Sequence, residues 1–190
     1  MTTEGRLEAV VLAGGSGTRF GGGKLTAPWR GGLLIEAALA AAFAAPARTV
    51  TVVTGADMAV TEAARAWAAR RGEIDRLRLV HAADHAEGMA ASLRTGIAAL
   101  PHDTAGALVF LGDMPTVPHG LARRLAEALG EGAAAAVPLF ERERGHPVLF
   151  AAELFAALRA LSGDQGAKMI LDGLGPRLAV METDDPGVRV

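Results

Sequence analysis

Short apolar runs rich in β-branched residues alternate with segments of helical periodicity over the first 140 residues, and this alternation limits the fold more than any other feature. Between the runs, apolar residues recur every three or four positions with polar residues on the opposite side. The runs predict buried parallel strands at residues 9–12, 50–53, 77–81, 107–111 and 134–139. The intervening segments predict helices at residues 33–44, 59–71, 89–100 and 121–129. This order predicts an α/β sandwich with right-handed crossovers.

The alternation weakens beyond residue 140, where further helical patterns lie at residues 152–161 and 165–171. The chain has 190 residues, which is enough for one substantial core, and no linker composition interrupts it. We therefore expect a single domain over residues 1–190.

Composition argues against several classes of protein. Hydrophobic residues make up 51% of the chain and the formal net charge is −2, so the chain lacks the basic excess typical of proteins that bind duplex nucleic acid. Cysteine is absent, which excludes disulfides and thiolate zinc sites. The most apolar segment, residues 33–47, is too short for a membrane span and contains Glu36 and Pro46. With no leader pattern at the amino terminus, we expect a cytoplasmic protein with neither nucleic-acid nor membrane partners.

A glycine-rich segment with two cations, residues 12–25, begins at the end of the first predicted strand. Glycines without a Cβ allow backbone N–H groups to approach an anion closely, and Arg19 and Lys24 add charge suited to a polyphosphate. The segment therefore predicts a phosphate-bearing ligand. A surface turn with two solvated cations has the same composition and remains the alternative.

Two familiar phosphate-binding loops do not fit this segment. A P-loop requires glycine five residues before its Gly-Lys pair and Ser or Thr after the lysine, where this chain has Thr18 and Leu25. A dinucleotide fingerprint that begins at Gly15 and Gly17 requires glycine or alanine at position 20, where Phe20 stands. The sequence thus argues against a P-loop NTPase and against a nicotinamide-dependent oxidoreductase.

Asp113 comes directly after Gly112 at the end of the fourth predicted strand. Ligands of open α/β sheets bind beyond the carboxyl ends of the strands, so we expect this carboxylate and the glycine-rich segment to reach one crevice. Hard divalent cations prefer carboxylate oxygens, which makes Asp113 a candidate Mg²⁺ ligand. A helix N-cap or turn aspartate is the alternative, and convergence with Arg19 and Lys24 favours the metal.

Ser92 and Arg94 lie in a segment that has two interpretations. If the turn at Gly88 opens a helix at the crevice, Ser92 can place its hydroxyl near a ribose or base. An ordinary helix start explains Gly88 and Ser92 equally well. Arg94 is expected to be a solvated helix charge.

Three histidines are candidate ligands. His81 and His85 are four residues apart, but no continuous helix joins them and no third strong metal ligand is evident. His146 is held between Gly145 and Pro147, which favours a defined loop. Substrate contact and simple loop packing are both consistent with that position.

Five segments occur in an order that covers nearly the whole chain. They are residues 12–25 (LAGGSGTRFGGGKL), 87–93 (EGMAASL), 111–115 (LGDMP), 144–150 (RGHPVLF) and 163–168 (GDQGAK). Taken together, they resemble the molybdenum cofactor cytidylyltransferases, within a wider nucleotidyltransferase family that includes the guanylyl-transferring molybdopterin enzymes.

The resemblance implies a Rossmann-like three-layer sandwich of the nucleotide-diphospho-sugar transferase type, with a mostly parallel sheet and helices on both faces. It implies a nucleotide-binding half over about residues 1–115 and an acceptor-binding half over about residues 116–190. Arg19 and Lys24 would be catalytic, and Asp113 would bind Mg²⁺ or Mn²⁺. The implied nucleotide contacts are Leu12, Ala13, Gly14, Gly15, Lys24, Ser92 and Asp113. The implied acceptor contacts are Arg144, His146, Asp164 and Lys168.

The implied reaction is attack by the terminal phosphate of molybdopterin on the α-phosphorus of CTP, with pyrophosphate as the leaving group. These two small molecules are the implied substrates, with transient contact to a molybdoenzyme or its chaperone. The form Ala13-Gly14-Gly15 is commoner in guanylyl enzymes, whereas the spacing that ends in Gly23-Lys24 favours the cytidylyl branch, so guanylyl or other nucleotidyl transfer is the alternative. Relatives continue beyond Val190 into an acidic segment with a second metal ligand, which also keeps a non-catalytic nucleotide-binding module open.

Overall fold

In the part of the chain that the structure describes, a mixed sheet of eight strands lies at the centre of the fold. The computed structural model describes residues 6–15, 23–162 and 167–189. Within these residues the strands are β1 (Leu7–Ala13), β2 (Pro28–Trp29), β3 (Gly32–Leu33), β4 (Val50–Thr54), β5 (Leu77–His81), β6 (Gly106–Leu111), β7 (Ala135–Phe140), β8 (Glu143–Arg144), β9 (Val148–Ala151) and β10 (Leu178–Glu182). β2 and β3 form a separate antiparallel pair.

The strand order of the central sheet is β10-β7-β9-β6-β1-β4-β5, and β8 pairs with β7. Neighbouring strands are parallel except where β8 or β9 is involved. From β1 the chain passes outward through β4 to β5 and then returns to place β6 on the other side of β1. The strand order therefore reverses between β1 and β6, and such a switch point opens a crevice at the carboxyl ends of the two strands.

Helices cover both faces of the sheet. They are α1 (Leu34–Phe43), α2 (Met58–Arg70), α3 (Met89–Ala98), α4 (Leu121–Gly130), α5 (Phe155–Arg159) and α6 (Lys168–Asp172). One core cluster joins α1, α2 and α4 to the sheet, and a second joins α3, α5 and α6 to it. β1 contributes Ala9 and Val11 to the first cluster and Val10 to the second, which explains its continuous apolar run. None of the described helices is long and apolar enough to cross a lipid bilayer.

The predicted fold class is confirmed, and each of the five predicted strands overlaps an observed one. The structure adds β2, β3, β8, β9 and β10, which the alternation of apolar runs and helical segments does not predict. The predicted helix at residues 152–161 is reduced to a 3₁₀ turn, Ala152–Leu154, followed by α5. Of the predicted helix at residues 165–171, the described part forms α6, and residues 163–166 lie outside the described residues.

A fully buried carboxylate ties the amino ends of three neighbouring strands together. Glu8 in β1 is 0% exposed and accepts hydrogen bonds from Arg48 Nε at 2.7 Å and from the backbone N–H and hydroxyl of Thr49 at 2.9 and 2.7 Å. The Arg48 guanidinium also binds both carboxylate oxygens of Asp103, at 2.7 and 2.9 Å. Asp103 and then Glu8 raise the pKa of Arg48 above its ordinary value. Since Thr49 precedes β4 and Asp103 precedes β6, the network fixes both neighbours of β1.

We expect Glu8→Ala to lower the free energy of unfolding by about 2 to 4 kcal/mol, because Arg48 and Thr49 lose their buried acceptor. Asp103→Ala is the matched control, since it removes an exposed carboxylate of the same network and should cost much less. Urea unfolding at neutral pH measures both variants. Equal losses would show that the burial of Glu8 does not give the network its stabilising effect.

Candidate active site

The carboxyl ends of β1 and β6 form the floor of the crevice at the switch point. Gly112 N donates a hydrogen bond to Leu12 O at 2.9 Å, so the two strands stay paired to the point where they leave the sheet. Ala13 is the buried last residue of β1, and Gly14 directly follows it. Asp113 lies one residue beyond Gly112. The structure thus brings the start of the glycine-rich segment and the strand-end aspartate to the same edge of the sheet.

Lys24 and Asp113 form a direct ion pair across this crevice. Lys24 Nζ lies 2.7 Å from Asp113 Oδ2, although the two residues are 89 positions apart in the chain. Lys24 begins a 3₁₀ turn that is entered through Gly23 at φ 70°, a left-handed conformation that favours glycine. Leu25 packs against the core cluster that contains α1 and α2. The backbone conformation and this core contact together position the lysine over the end of β6.

Both partners of this ion pair are partly open to solvent, with side-chain exposures of 35% for Lys24 and 42% for Asp113. An ion pair in such an environment contributes only about 0 to 1 kcal/mol, so stronger ligands can replace each partner. An ammonium group binds phosphate, and a carboxylate is the ligand that Mg²⁺ and Mn²⁺ prefer. The arrangement can therefore hold an anion and a cation side by side.

The donor set around Asp113 fits a hard divalent cation that brings part of its own coordination shell. Across residues 6–15, 23–162 and 167–189, no group of three or more His, Cys, Asp or Glu side chains is arranged to enclose a metal ion. Mg²⁺ commonly binds through one or two carboxylates and completes its shell with water and substrate phosphates. Asp113 fits that mode of binding, in which the metal and a polyphosphate bind together.

Gly14 is closely enclosed by neighbouring elements. A Cβ at Gly14 would lie 2.5 Å from Ser92 Oγ, and a Cβ at Gly55 would lie 2.4 Å from Gly14 O. Ser92 is only 4% exposed, near the start of α3. His85 Cβ would lie 3.6 Å from the same Gly14 Cβ, and His85 Nδ1 is buried without a hydrogen-bond partner among the described residues. The close approach of the two backbones requires glycine at position 55, and it leaves the Ser92 hydroxyl and the turn of His85 next to Gly14.

His146 lies in a bulge between β8 and β9, the two consecutive strands that pair with the same side of β7. The register along β7 shifts by two residues between its pairing with β9 and its pairing with β8, so the chain bulges around His146. The peptide bond that follows His146 is cis, and His146 N donates to Val188 O at 2.7 Å. The ring Nδ1 lies 3.5 Å from Val109 O in β6. Burial lowers the pKa of His146 below its ordinary value of 6.5, opposed by the Val109 carbonyl and by the charge of Asp113.

Two residues predicted to contact the acceptor lie on elements that contact each other. Arg144 Nη1 pairs with Asp172 Oδ1 at 2.5 Å, which joins β8 to α6. Lys168 is the exposed first residue of α6. The predictions for Arg19 and Asp164 fall outside the described residues.

Arg94 is not the solvated helix charge that the sequence predicts. Its guanidinium donates to Asp84, to Glu87 at 2.9 Å and to Leu161 O at 2.8 Å. The hydrogen bond from Arg94 lowers the pKa of Asp84 below its ordinary value. Arg94 therefore fixes the turn after β5, which carries His85, against the start of α3.

Sequence reasoning missed the position of His85 against Gly14. From the sequence, His85 is only a possible metal partner of His81. The two rings lie close in the structure, with centroids 6.0 Å apart. The available signal was that His85 follows a strand end and shortly precedes the helix-opening Gly88. Nothing in the sequence shows that this turn faces β1.

The fold and these residues define a class of protein, an α/β domain in which a lysine that follows a glycine-rich segment pairs with a strand-end carboxylate at the switch point of the sheet. The model of the MobA-like NTP transferase domain matches residues 9–179. The chain belongs to this family of nucleotidyltransferases.

Known proteins of similar sequence and structure agree with this assignment. The molybdenum cofactor cytidylyltransferase of Escherichia coli (strain K12) is 24% identical over 143 residues, which cover 75% of this chain and 69% of that protein. Rv0371c from Mycobacterium tuberculosis H37Rv is 25% identical, with a TM-score of 0.76 over 94% of this chain and 88% of its own. A second structure of Rv0371c, a complex with manganese, has a TM-score of 0.73 at 24% identity with the same coverage. The resemblance to the molybdenum cofactor nucleotidyltransferases is therefore confirmed.

We expect Lys24→Met to bind Mn²⁺ more tightly than the wild type when no other ligand is added, because the variant frees Asp113 from its competing ammonium. The same variant should bind inorganic triphosphate about tenfold or more weakly, since a charge-assisted contact is lost. Electron paramagnetic resonance of free Mn²⁺ and calorimetry with triphosphate measure the two effects. Arg65→Met, which removes an exposed cation of α2, is the control and should change neither. Weaker Mn²⁺ binding by Lys24→Met would contradict the competition between lysine and metal.

We expect His146→Gln to flatten the pH dependence of stability just below pH 6.5. The unfolded chain takes up a proton on this histidine near its ordinary pKa of 6.5, whereas the folded protein binds that proton only at lower pH. The wild type therefore keeps this part of its stability above pH 6.5 and loses it as the pH falls towards the lowered pKa of the folded state. Chemical unfolding on both sides of pH 6.5 measures the effect. Parallel curves for wild type and variant would contradict it.

Proposed function

We propose that this protein transfers CMP from CTP to the terminal phosphate of molybdopterin, giving the cytosine dinucleotide cofactor and pyrophosphate. The observation that carries the proposal is the Lys24–Asp113 pair at the carboxyl ends of β1 and β6, which holds a phosphate-binding cation next to a metal-binding carboxylate. The name of the E. coli relative supports the choice of acceptor and nucleotide. The manganese complex of Rv0371c supports a divalent metal, Mg²⁺ or Mn²⁺, at Asp113.

In the proposed reaction an oxygen of the acceptor phosphate forms a bond to the α-phosphorus of CTP. The bond from that phosphorus to the bridging oxygen breaks, and pyrophosphate leaves with the electron pair. Lys24 and Arg19 would neutralise negative charge on the transferred and leaving phosphates, and Asp113 would hold the metal. When bound, the metal supplies further charge neutralisation and orients the phosphates. Such transfers depend mainly on positioning and electrostatic stabilisation, so no covalent enzyme intermediate is required.

The cleft at Gly14 is the proposed place of the nucleoside. Leu12, Ala13, Gly14 and Gly15 would present backbone groups to it, and Ser92 would contribute its buried hydroxyl. The unsatisfied Nδ1 of His85 adds a polar group that a ribose or base can satisfy. In this proposal residues 1–115 bind the nucleotide.

The acceptor would lie on the side of β9 and β7. Arg144 and His146 are presented there by β8 and by the bulge, and the proposal keeps Lys168 and Asp164 as further contacts. The pairing of Arg144 with Asp172 supports it, because this contact links the bulged strand to the segment that contains Lys168. Residues 116–190 would form the acceptor-binding half.

Guanylyl transfer is the second candidate, and the form Ala13-Gly14-Gly15 is the observation that favours it. Both candidates use the same ion pair and the same bond changes. They differ in which base the cleft at Gly14 accepts.

Pyrophosphate release with molybdopterin, Mg²⁺ and either CTP or GTP tests the proposed function. We expect release with CTP, and we expect Lys24→Ala to lower the rate by roughly a hundredfold, because a single well-placed charge stabilises such a transition state by about 3 kcal/mol. The Lys24→Ala fold should be intact by circular dichroism. Release with GTP alone would establish the second candidate. No release with either nucleotide would leave a nucleotide-binding module without turnover and would refute both transfer reactions.

A further inference from the structure

The tight turn between β7 and β8 has an unfavourable sequence for its geometry. Leu139 pairs with Arg144 and Phe140 with Glu143, so the loop consists of only two residues. These residues, Glu141 and Arg142, have φ of 47° and 66°. Two-residue hairpin loops of this kind favour Asn-Gly, because side chains other than glycine and asparagine are strained at positive φ. The chain thus maintains a strained arginine at a hairpin tip.

The strained turn lies at the same edge of the sheet as the Lys24–Asp113 ion pair. Ala136 in β7 and Leu108 in β6 both align with Leu149 of the intervening β9, and β6 and β7 run in the same direction. Glu141 follows the end of β7 directly, and Asp113 follows the end of β6 by two residues. Two strand spacings separate the two strands, which is about 10 Å. The turn therefore leaves the sheet on the side of β6 that faces away from β1.

The two charged residues of β8 already have partners. Glu143 pairs with Arg189, and Arg144 pairs with Asp172. Arg142 is exposed and makes no ion pair within the described part of the chain. The fold thus presents an exposed guanidinium at the carboxyl edge of the sheet without using it to hold the hairpin.

The proposed reaction brings a second phosphate, that of the acceptor, into the site, and this phosphate also requires a cation. An acceptor phosphate that approaches a polyphosphate is repelled by it, and the Lys24 side of the crevice is taken by the nucleotide in the proposed function. A guanidinium matches the oxygens of a phosphate in a bidentate geometry. We propose, on the basis of the proposed function, that Arg142 binds the phosphate of the acceptor substrate. In this proposal the strained turn is maintained because it directs this cation toward the crevice.

Kinetics with both substrates varied test the proposal. Arg142→Gly should raise the KM for molybdopterin by about tenfold or more and leave the KM for CTP within about twofold, because only one charged contact is lost. The same variant should raise Tm by about 2 to 4 °C, because glycine relieves the positive φ. Arg142→Lys should retain most of the affinity for the acceptor. Glu141→Asn, the matched control, relieves strain without removing the cation, so it should raise Tm and leave both KM values unchanged.

A binding measurement that needs no turnover separates this proposal from the proposed function. In the Lys24→Met background, calorimetry with inorganic phosphate should show weaker binding on Arg142→Gly and unchanged binding on Glu141→Asn. Unchanged phosphate binding by Arg142→Gly, or an unchanged KM for molybdopterin, would overturn the role of Arg142. Absence of pyrophosphate release by the wild type, with phosphate binding still dependent on Arg142, would overturn the acceptor assignment of the proposed function and leave Arg142 as a phosphate-binding residue.

Discussion

The ion pair of Lys24 with Asp113 is the interaction on which the proposed chemistry depends. It joins a residue from the glycine-rich segment to the end of β6, at 2.7 Å across the switch point. Because the pair is partly exposed, it contributes little to the free energy of folding. A triphosphate can therefore replace Asp113 as the partner of Lys24, and a metal can replace Lys24 as the partner of Asp113. The pair therefore keeps the two groups aligned without making the site too stable to accept a ligand.

The rest of the fold serves to keep these two groups in place. Glu8 and Arg48 fix the amino ends of β1 and its neighbours, and the two core clusters hold the sheet rigid between them. Arg94 performs a similar task for the turn after β5. The fully buried carboxylate of Glu8 lies away from the crevice, whereas Lys24 and Asp113 at the crevice are partly exposed, as binding residues on a rigid scaffold need to be.

The two sides of the crevice differ in how they are built. On the side of β1 and β4, parallel strands and glycines bring backbone close to backbone, which suits a ligand recognised through its phosphates and its nucleoside. On the side of β9 and β7, the sheet turns antiparallel, bulges at His146 and ends in the strained turn of Arg142. This irregular part places side chains of several types at the edge, which suits the more variable chemistry of an acceptor.

The sequence by itself determined the layers of the fold and the convergence of Lys24 and Asp113 on one crevice, whereas their direct ion pair is seen only in the structure. Buried parallel strands require continuous apolar runs, and polar residues directly after such runs, as at Asp113, must emerge at the carboxyl edge. Only the tertiary structure decided what lies beside them. The contact of His85 with Gly14, the anchoring of Arg94 and the bulge at His146 depend on which turns meet across the sheet and on a two-residue register shift. Such contacts join residues that are distant in the chain. Local periodicity indicates only which face of each element is buried and which is exposed, so it does not predict these contacts.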